Sequence, residues 1–94
     1  MPIVTGKKIW YNDKFIPWDD AVIHVAAHVV SYASCIFEGI RCYPTERGPA
    51  VFRLNEHMQR MKAGANALAM KFDAQQVSDA ILTLVDINRC LSAY

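Results

Sequence analysis

Phe37, Gly39 and Arg41, at alternate positions, form the most suggestive group in the chain. In an extended backbone side chains alternate with a period of two, so an aromatic wall, a gap and a cation share one face. Such a face can line a small-molecule pocket, or it can be an ordinary sheet face whose arginine reaches to water. Ile36, Glu38, Ile40 and Cys42 fall on the opposite side. A carboxylate among those apolar neighbours needs a partner if buried, so Glu38 reads as a hydrogen-bonded structural group or as a residue at a sheet margin. Arg60 is the second candidate. It lies on a helical stripe with Arg53, His57, Gly64 and Ala67, which mixes basic groups with small residues that admit another backbone or a ligand. Its chemistry would be an anion contact. The plain alternative is a solvated helix arginine.

Other combinations are weaker. His24 and His28 have the spacing that puts two metal ligands on one helical face, but no further ligand follows at a zinc-site spacing, and two structural histidines are the better reading. Cys35 and Cys42 fall on opposite faces of one strand and cannot pair without breaking it. All three cysteines (Cys35, Cys42 and Cys90) read as small buried hydrophobes. The four glycines are scattered, so no glycine-rich phosphate loop exists. Asp19 and Asp20 read as turn caps.

The elements that must position these residues follow from pattern. Two short aromatic and apolar runs, 8–11 and 15–18, flank Asn12-Asp13-Lys14 and predict a tight hairpin. Pro17 confines the second run to an edge strand or to its last residues. Residues 21–28 stay open between strand, extended loop and the entry to a helix. Residues 36–43 predict the clearest strand, 44–49 a turn-rich loop and 50–53 the return strand. Leu54, Met58, Met61, Ala65 and Leu68 recur at helical spacing and predict a helix over 54–70, with Asn55, Gln59, Lys62 and Asn66 facing water. Asp73, with Gln76 in capping-box spacing, predicts the start of a second helix buried through Val77, Ile81, Leu84, Ile87 and Leu91. The last residues read as the start of another strand. Hairpins followed by two helices make an α+β domain.

Composition bounds the partners. The chain has 94 residues, 53% of them hydrophobic and 20% charged, with a formal net charge of +1. That is one small globular domain able to bury roughly 60–65% of its unfolded surface. Each half is within one charge of neutrality, so the basic footprint of a nucleic-acid binder is missing. No signal peptide is legible at the start. The longest stretch free of Asp, Glu, Lys and Arg, 21–37, is too short and polar to span a bilayer. An odd number of cysteines suits a reducing cytoplasm rather than a disulfide scaffold.

Read together, these pieces resemble the N-terminal small domain of a branched-chain amino-acid aminotransferase, in the fold-type IV group that uses pyridoxal 5′-phosphate. The resemblance rests on Ile9-Trp10-Tyr11-Asn12 through Pro17-Trp18, on 24–32, on Ile36-Phe37-Glu38-Gly39-Ile40-Arg41-Cys42-Tyr43, on 48–54, and on Glu56-His57-Met58-Gln59-Arg60-Met61. It covers nearly the whole chain. D-amino-acid aminotransferases and aminodeoxychorismate lyases differ around 24–28 and often carry G-D-G where this chain has Ala33-Ser34-Cys35; branched-chain relatives commonly have a glycine at or near position 33. The resemblance implies that Arg60 binds the cofactor phosphate and that Phe37, Gly39 and Arg41 line the substrate pocket. It also implies that Tyr32 reaches the pocket of a neighbouring subunit, hence a homodimer or larger homo-oligomer. The implied reaction moves the amino group of leucine, isoleucine or valine to 2-oxoglutarate. The lysine that carries the cofactor lies in the family's larger C-terminal domain. Lys7, Lys8, Lys14, Lys62 and Lys71 match none of its catalytic positions, so residues 1–94 are expected to hold no catalytic residue and to be inactive alone. The competing expectations are another fold-type IV enzyme and a non-catalytic, self-associating module.

Overall fold

The computed structural model describes residues 6–89. The chain divides into two compact units, Met1–Cys35 and Ile36–Tyr94. The expected strand start at 91–94, Leu91 and Cys90 lie outside the described residues.

In the first unit, β1 (Lys8–Tyr11) pairs antiparallel with β2 (Lys14–Pro17), Tyr11 opposite Lys14 and Lys8 opposite Pro17. Only Asn12 and Asp13 remain for the loop, at φ 48° and 67°. A two-residue turn with both centres left-handed matches the right-handed twist of its strands, and Asn and Asp tolerate that region best after glycine. Pro17 takes the last position of its strand, as expected from its missing N–H. One 3-10 turn, Trp18–Asp20, follows. The Tyr11 hydroxyl then donates to the Val22 carbonyl at 3.0 Å, tying the connection back to the hairpin. The ambiguous run resolves into turns and a five-residue helix, α1 (His28–Tyr32). Ala33 ends it at φ 53°, ψ 32°, a conformation that costs any residue with a Cβ and explains why a glycine suits this place.

In the second unit, β3 (Cys42–Thr45) pairs antiparallel with β4 (Gly48–Val51). The register puts Pro44 opposite Pro49. Thr45 and Gly48 close the turn as a hydrogen-bonded pair, so the prolines occupy the next, non-bonded pair, where neither N–H is required. The last rung runs from the Phe52 N–H to the Arg41 carbonyl at 2.8 Å. The strand expected over 36–43 is therefore corrected: among the described residues no backbone pairs with 36–40, and a ladder needs a partner. The return strand is likewise Gly48–Val51 rather than 50–53, because Phe52 and Arg53 turn the chain into the next helix, Arg53 at φ 52°.

α2 (Leu54–Ala67) packs against α3 (Ala74–Ile87). Asn55, Gln59, Lys62 and Asn66 face water, while Met58 and Ala65 are buried. α2 stops three residues short of the expected end. Ala69 turns left-handed at φ 55°, its N–H reaches the Asn66 carbonyl, and the Met70 N–H reaches the Ala65 carbonyl, a Schellman closure. α3 starts where its cap predicts: the Asp73 side chain accepts the Gln76 N–H at 3.1 Å. Cys42, Met58, Ala65 and Ala80 form the buried apolar centre.

Candidate active site

Residues 36–42 alternate as an extended chain should, although only the end of the segment is paired. Phe37, Gly39 and Arg41 are exposed, Phe37 at 82%, whereas Ile36, Glu38 and Ile40 are half-buried and Cys42 is buried. The inward face meets the mixed stripe of α2. Ile36 lies against Gly64, where a Cβ would come within 3.0 Å of the Ile36 Cγ2. One pleat further on, Glu38 reaches the next turn of the same stripe. Its Oε1 accepts from Arg60 Nη2 at 2.6 Å and from His57 Nδ1 at 2.7 Å. Arg60 Nε donates to both carboxylate oxygens at 2.9 Å. A carboxylate only accepts, so His57 Nδ1 carries the proton in this bond.

The electrostatics follow from these contacts. The Arg60 guanidinium, and after it His57, hold the Glu38 carboxyl below the usual carboxylate range against the opposing cost of burial. Glu38 in turn holds Arg60 above its ordinary value. The Glu38 side chain is 9% exposed while that of Arg60 is 70% exposed. The pair thus has an inner anion and an outward cation. A guanidinium has five N–H donors, and among the described residues Glu38 engages only its Nε and Nη2 side. The terminal fork of Arg60 faces solvent with donors to spare, the geometry that takes a second oxyanion.

Phe37, Glu38, Gly39, Ile40, Arg41 and Cys42 also line an open cavity of about 410 Å³, completed by Val51 of β4 and by Ile81 and Val85 of α3. The second unit thus brings Phe37, Gly39, Arg41 and Arg60 onto one short segment and the helix stripe beneath it. Tyr32 belongs to the first unit, where it is 72% exposed and its ring lies 4.5 Å from that of His28.

The histidine pair does not share a helical face, because α1 begins only at His28. The His24 ring accepts the Ala26 N–H at 2.9 Å, and His28 Nδ1 bonds the Ser34 hydroxyl at 2.5 Å. Cys35 corrects a second expectation: it is exposed, since it lies in an irregular stretch outside any apolar face, whereas Cys42 is buried. The chief feature not foreseen is the link of Glu38 and His57 to Arg60. Its trace in the sequence was a carboxylate on an apolar strand face and two basic residues three apart on one stripe.

Comparison with known proteins identifies the family and the fold. The amino-transferase class IV family matches residues 35–94. The branched-chain-amino-acid aminotransferase of Salmonella typhimurium is 39% identical over 98 residues, covering 97% of this chain and 31% of its own length. The crystal structure of the Escherichia coli branched-chain amino acid aminotransferase superposes with a TM-score of 0.89 at 36% identity, over 95% of this chain and 30% of the other. That of the T.th. enzyme, complexed with N-(5′-phosphopyridoxyl)-L-glutamate, superposes with a TM-score of 0.90 at 37% identity, over 96% and 31%. The chain spans about a third of the length of the curated relatives it matches. With the family match over most of its residues and an α+β architecture shared with these enzymes, the chain belongs to the class IV amino-transferase family.

Proposed function

We propose that the chain is the N-terminal part of a pyridoxal-phosphate-dependent transaminase that moves the amino group of leucine, isoleucine or valine to 2-oxoglutarate. One observation carries this reading. A single extended segment presents Phe37, Gly39 and Arg41 outward, and its other face grips the outward-pointing Arg60 through Glu38. Substrate-facing and anion-binding groups are thereby held by one backbone. A phosphate monoester needs several N–H donors converging on its oxygens, and the terminal fork of Arg60 fits that requirement. When bound, the cofactor supplies the electron sink for breaking bonds at the amino-acid α-carbon.

In this reading Arg60 binds the cofactor phosphate and holds the ring in place. Phe37, Gly39 and Arg41 line the substrate pocket, the aromatic face excluding water and favouring an apolar substrate side chain. Tyr32 serves the pocket of a neighbouring subunit in a homodimer or larger homo-oligomer. The protein works in the cytoplasm, without nucleic-acid or membrane partners. Among the described residues no helix is long and apolar enough to cross a membrane. The covalent attachment of the cofactor is made by a lysine other than Lys7, Lys8, Lys14, Lys62 and Lys71.

The decisive measurement compares the affinity of the native polypeptide for pyridoxal 5′-phosphate with that for unphosphorylated pyridoxal, alongside transamination of leucine, isoleucine and valine. Arg60→Ala should reduce the preference for the phosphorylated form by roughly 10- to 100-fold, the scale of lost hydrogen bonds between charged groups. An unchanged preference would remove the phosphate from Arg60. Borohydride reduction of residues 1–94 with the cofactor should label none of the five lysines selectively. Stoichiometric labelling of one of them would place the covalent chemistry inside this chain.

A further inference from the structure

An arginine that binds a phosphate from a 70%-exposed position has many rotamers to lose. Here the choice is made beforehand. Glu38 takes the Nε–H and one Nη2–H of Arg60, so the guanidinium plane is set by the carboxylate and not by the ligand. Nη2 also lies 3.4 Å from His57 Nδ1, which donates to Glu38 and so cannot accept from Nη2. Of the five donors, the three not given to Glu38, one on Nη2 and two on Nη1, include the terminal fork that matches a phosphate edge. Glu38 is itself fixed, by His57 Nδ1 on one side and by a place in the half-buried face of the segment on the other. We propose that Glu38 is a positioning residue for cofactor binding, orienting Arg60 so that its Nη1/Nη2 edge is presented to the phosphate, with His57 bracing Glu38. The proposal rests on the reading of Arg60 as the phosphate ligand.

Two effects of the Glu38 charge oppose one another. Its repulsion of a phosphate dianion weakens binding and is screened by salt. Its orienting hydrogen bonds strengthen binding and depend on geometry. The proposal requires the second to dominate.

The test measures the preference for pyridoxal 5′-phosphate over pyridoxal in the native polypeptide and in the Glu38→Ala, Glu38→Gln and Arg60→Ala variants, at low and high salt. Glu38→Ala should reduce the preference about tenfold, the scale of one charge-assisted hydrogen bond. Glu38→Gln keeps one acceptor oxygen in place and should recover part of that loss. Affinity for pyridoxal itself should change little in any of the three. A purely structural Glu38 would instead lower the melting temperature and weaken both ligands equally, leaving the preference intact; that outcome overturns the proposal. A preference that rises in Glu38→Ala, most at low salt, makes Glu38 a competitor for Arg60 and also overturns it. If Arg60→Ala leaves the preference at the native value, the phosphate assignment fails and the positioning role with it. If Arg60→Ala abolishes the preference and Glu38→Ala does not reduce it, the positioning role fails alone.

Discussion

At the scale of residues, the cluster of Glu38, His57 and Arg60 shows how one inward carboxylate sets the behaviour of an outward cation. Because Arg60 and His57 hold the Glu38 carboxyl below its ordinary value of 4.5, folding favours the ionised form. The stabilisation is fully present above that value and is lost as pH falls through the lower folded-state value. The melting temperature should therefore fall on acidification below pH 4.5, and Glu38→Gln should flatten that limb. Parallel acid limbs in the two proteins would show that the carboxylate is not coupled to folding. The residue types made a partner for Glu38 legible in advance, but not its identity. His57 and Arg60 are 19 and 22 residues away along the chain, and no local periodicity spans that distance.

At the scale of elements, the termini of α2 and the packing of its small residues carry two expectations. Ala69 closes the Schellman motif at φ 55°, where a Cβ is strained by about 1 kcal/mol. Ala69→Gly should raise stability by up to about that amount, read as a higher melting temperature. An unchanged or lower value would mean that the entropy glycine adds to the unfolded chain cancels the relief. Gly64 behaves in the opposite sense. Glycine inside a helix ordinarily gives up about 1 kcal/mol relative to alanine, yet here an added Cβ meets Ile36 Cγ2 at 3.0 Å. Gly64→Ala should give no gain in stability, and the gain should reappear in an Ile36→Ala background. Additive effects of the two substitutions would mean that the helix and the segment do not constrain one another. The helix stripes and the Asp73 cap were legible because spacing and cap chemistry are local. The end of α2 was not, since Ala69 is a poor αL residue and gave no stop signal.

For the molecule as a whole, the balance of buried and exposed apolar surface stands out. The buried hydrophobic residues of the described chain are Cys42, Met58, Ala65 and Ala80, while Val22, Ile23, Val25, Val30, Tyr32 and Phe37 are each more than half exposed. Where such side chains are contiguous, they mark interaction surfaces. A polypeptide of these 94 residues alone should accordingly self-associate or bind a hydrophobic dye in its native state. A sharp, reversible unfolding transition of a monomer that binds no dye would count against this expectation, and with it against the reading of the chain as part of a larger assembly.

The amino-acid sequence by itself determined what depends on neighbours along the chain. It set the Asn12-Asp13 turn, the common face of Phe37, Gly39 and Arg41, the polar stripe of α2 and the Asp73 cap. Each follows from backbone sterics or a hydrogen bond within four residues, which residue type alone can favour. Tertiary structure decided which faces meet. The stripe bearing His57, Arg60 and Gly64 is less apolar than the one carrying Met58 and Ala65, yet it became the seat of Ile36 and Glu38 because a small residue made room beside two donors. A close approach and a charge pairing of that kind are satisfied together only when distant segments pack, and for that reason the orientation of Arg60 belongs to the fold rather than to the helix that carries it.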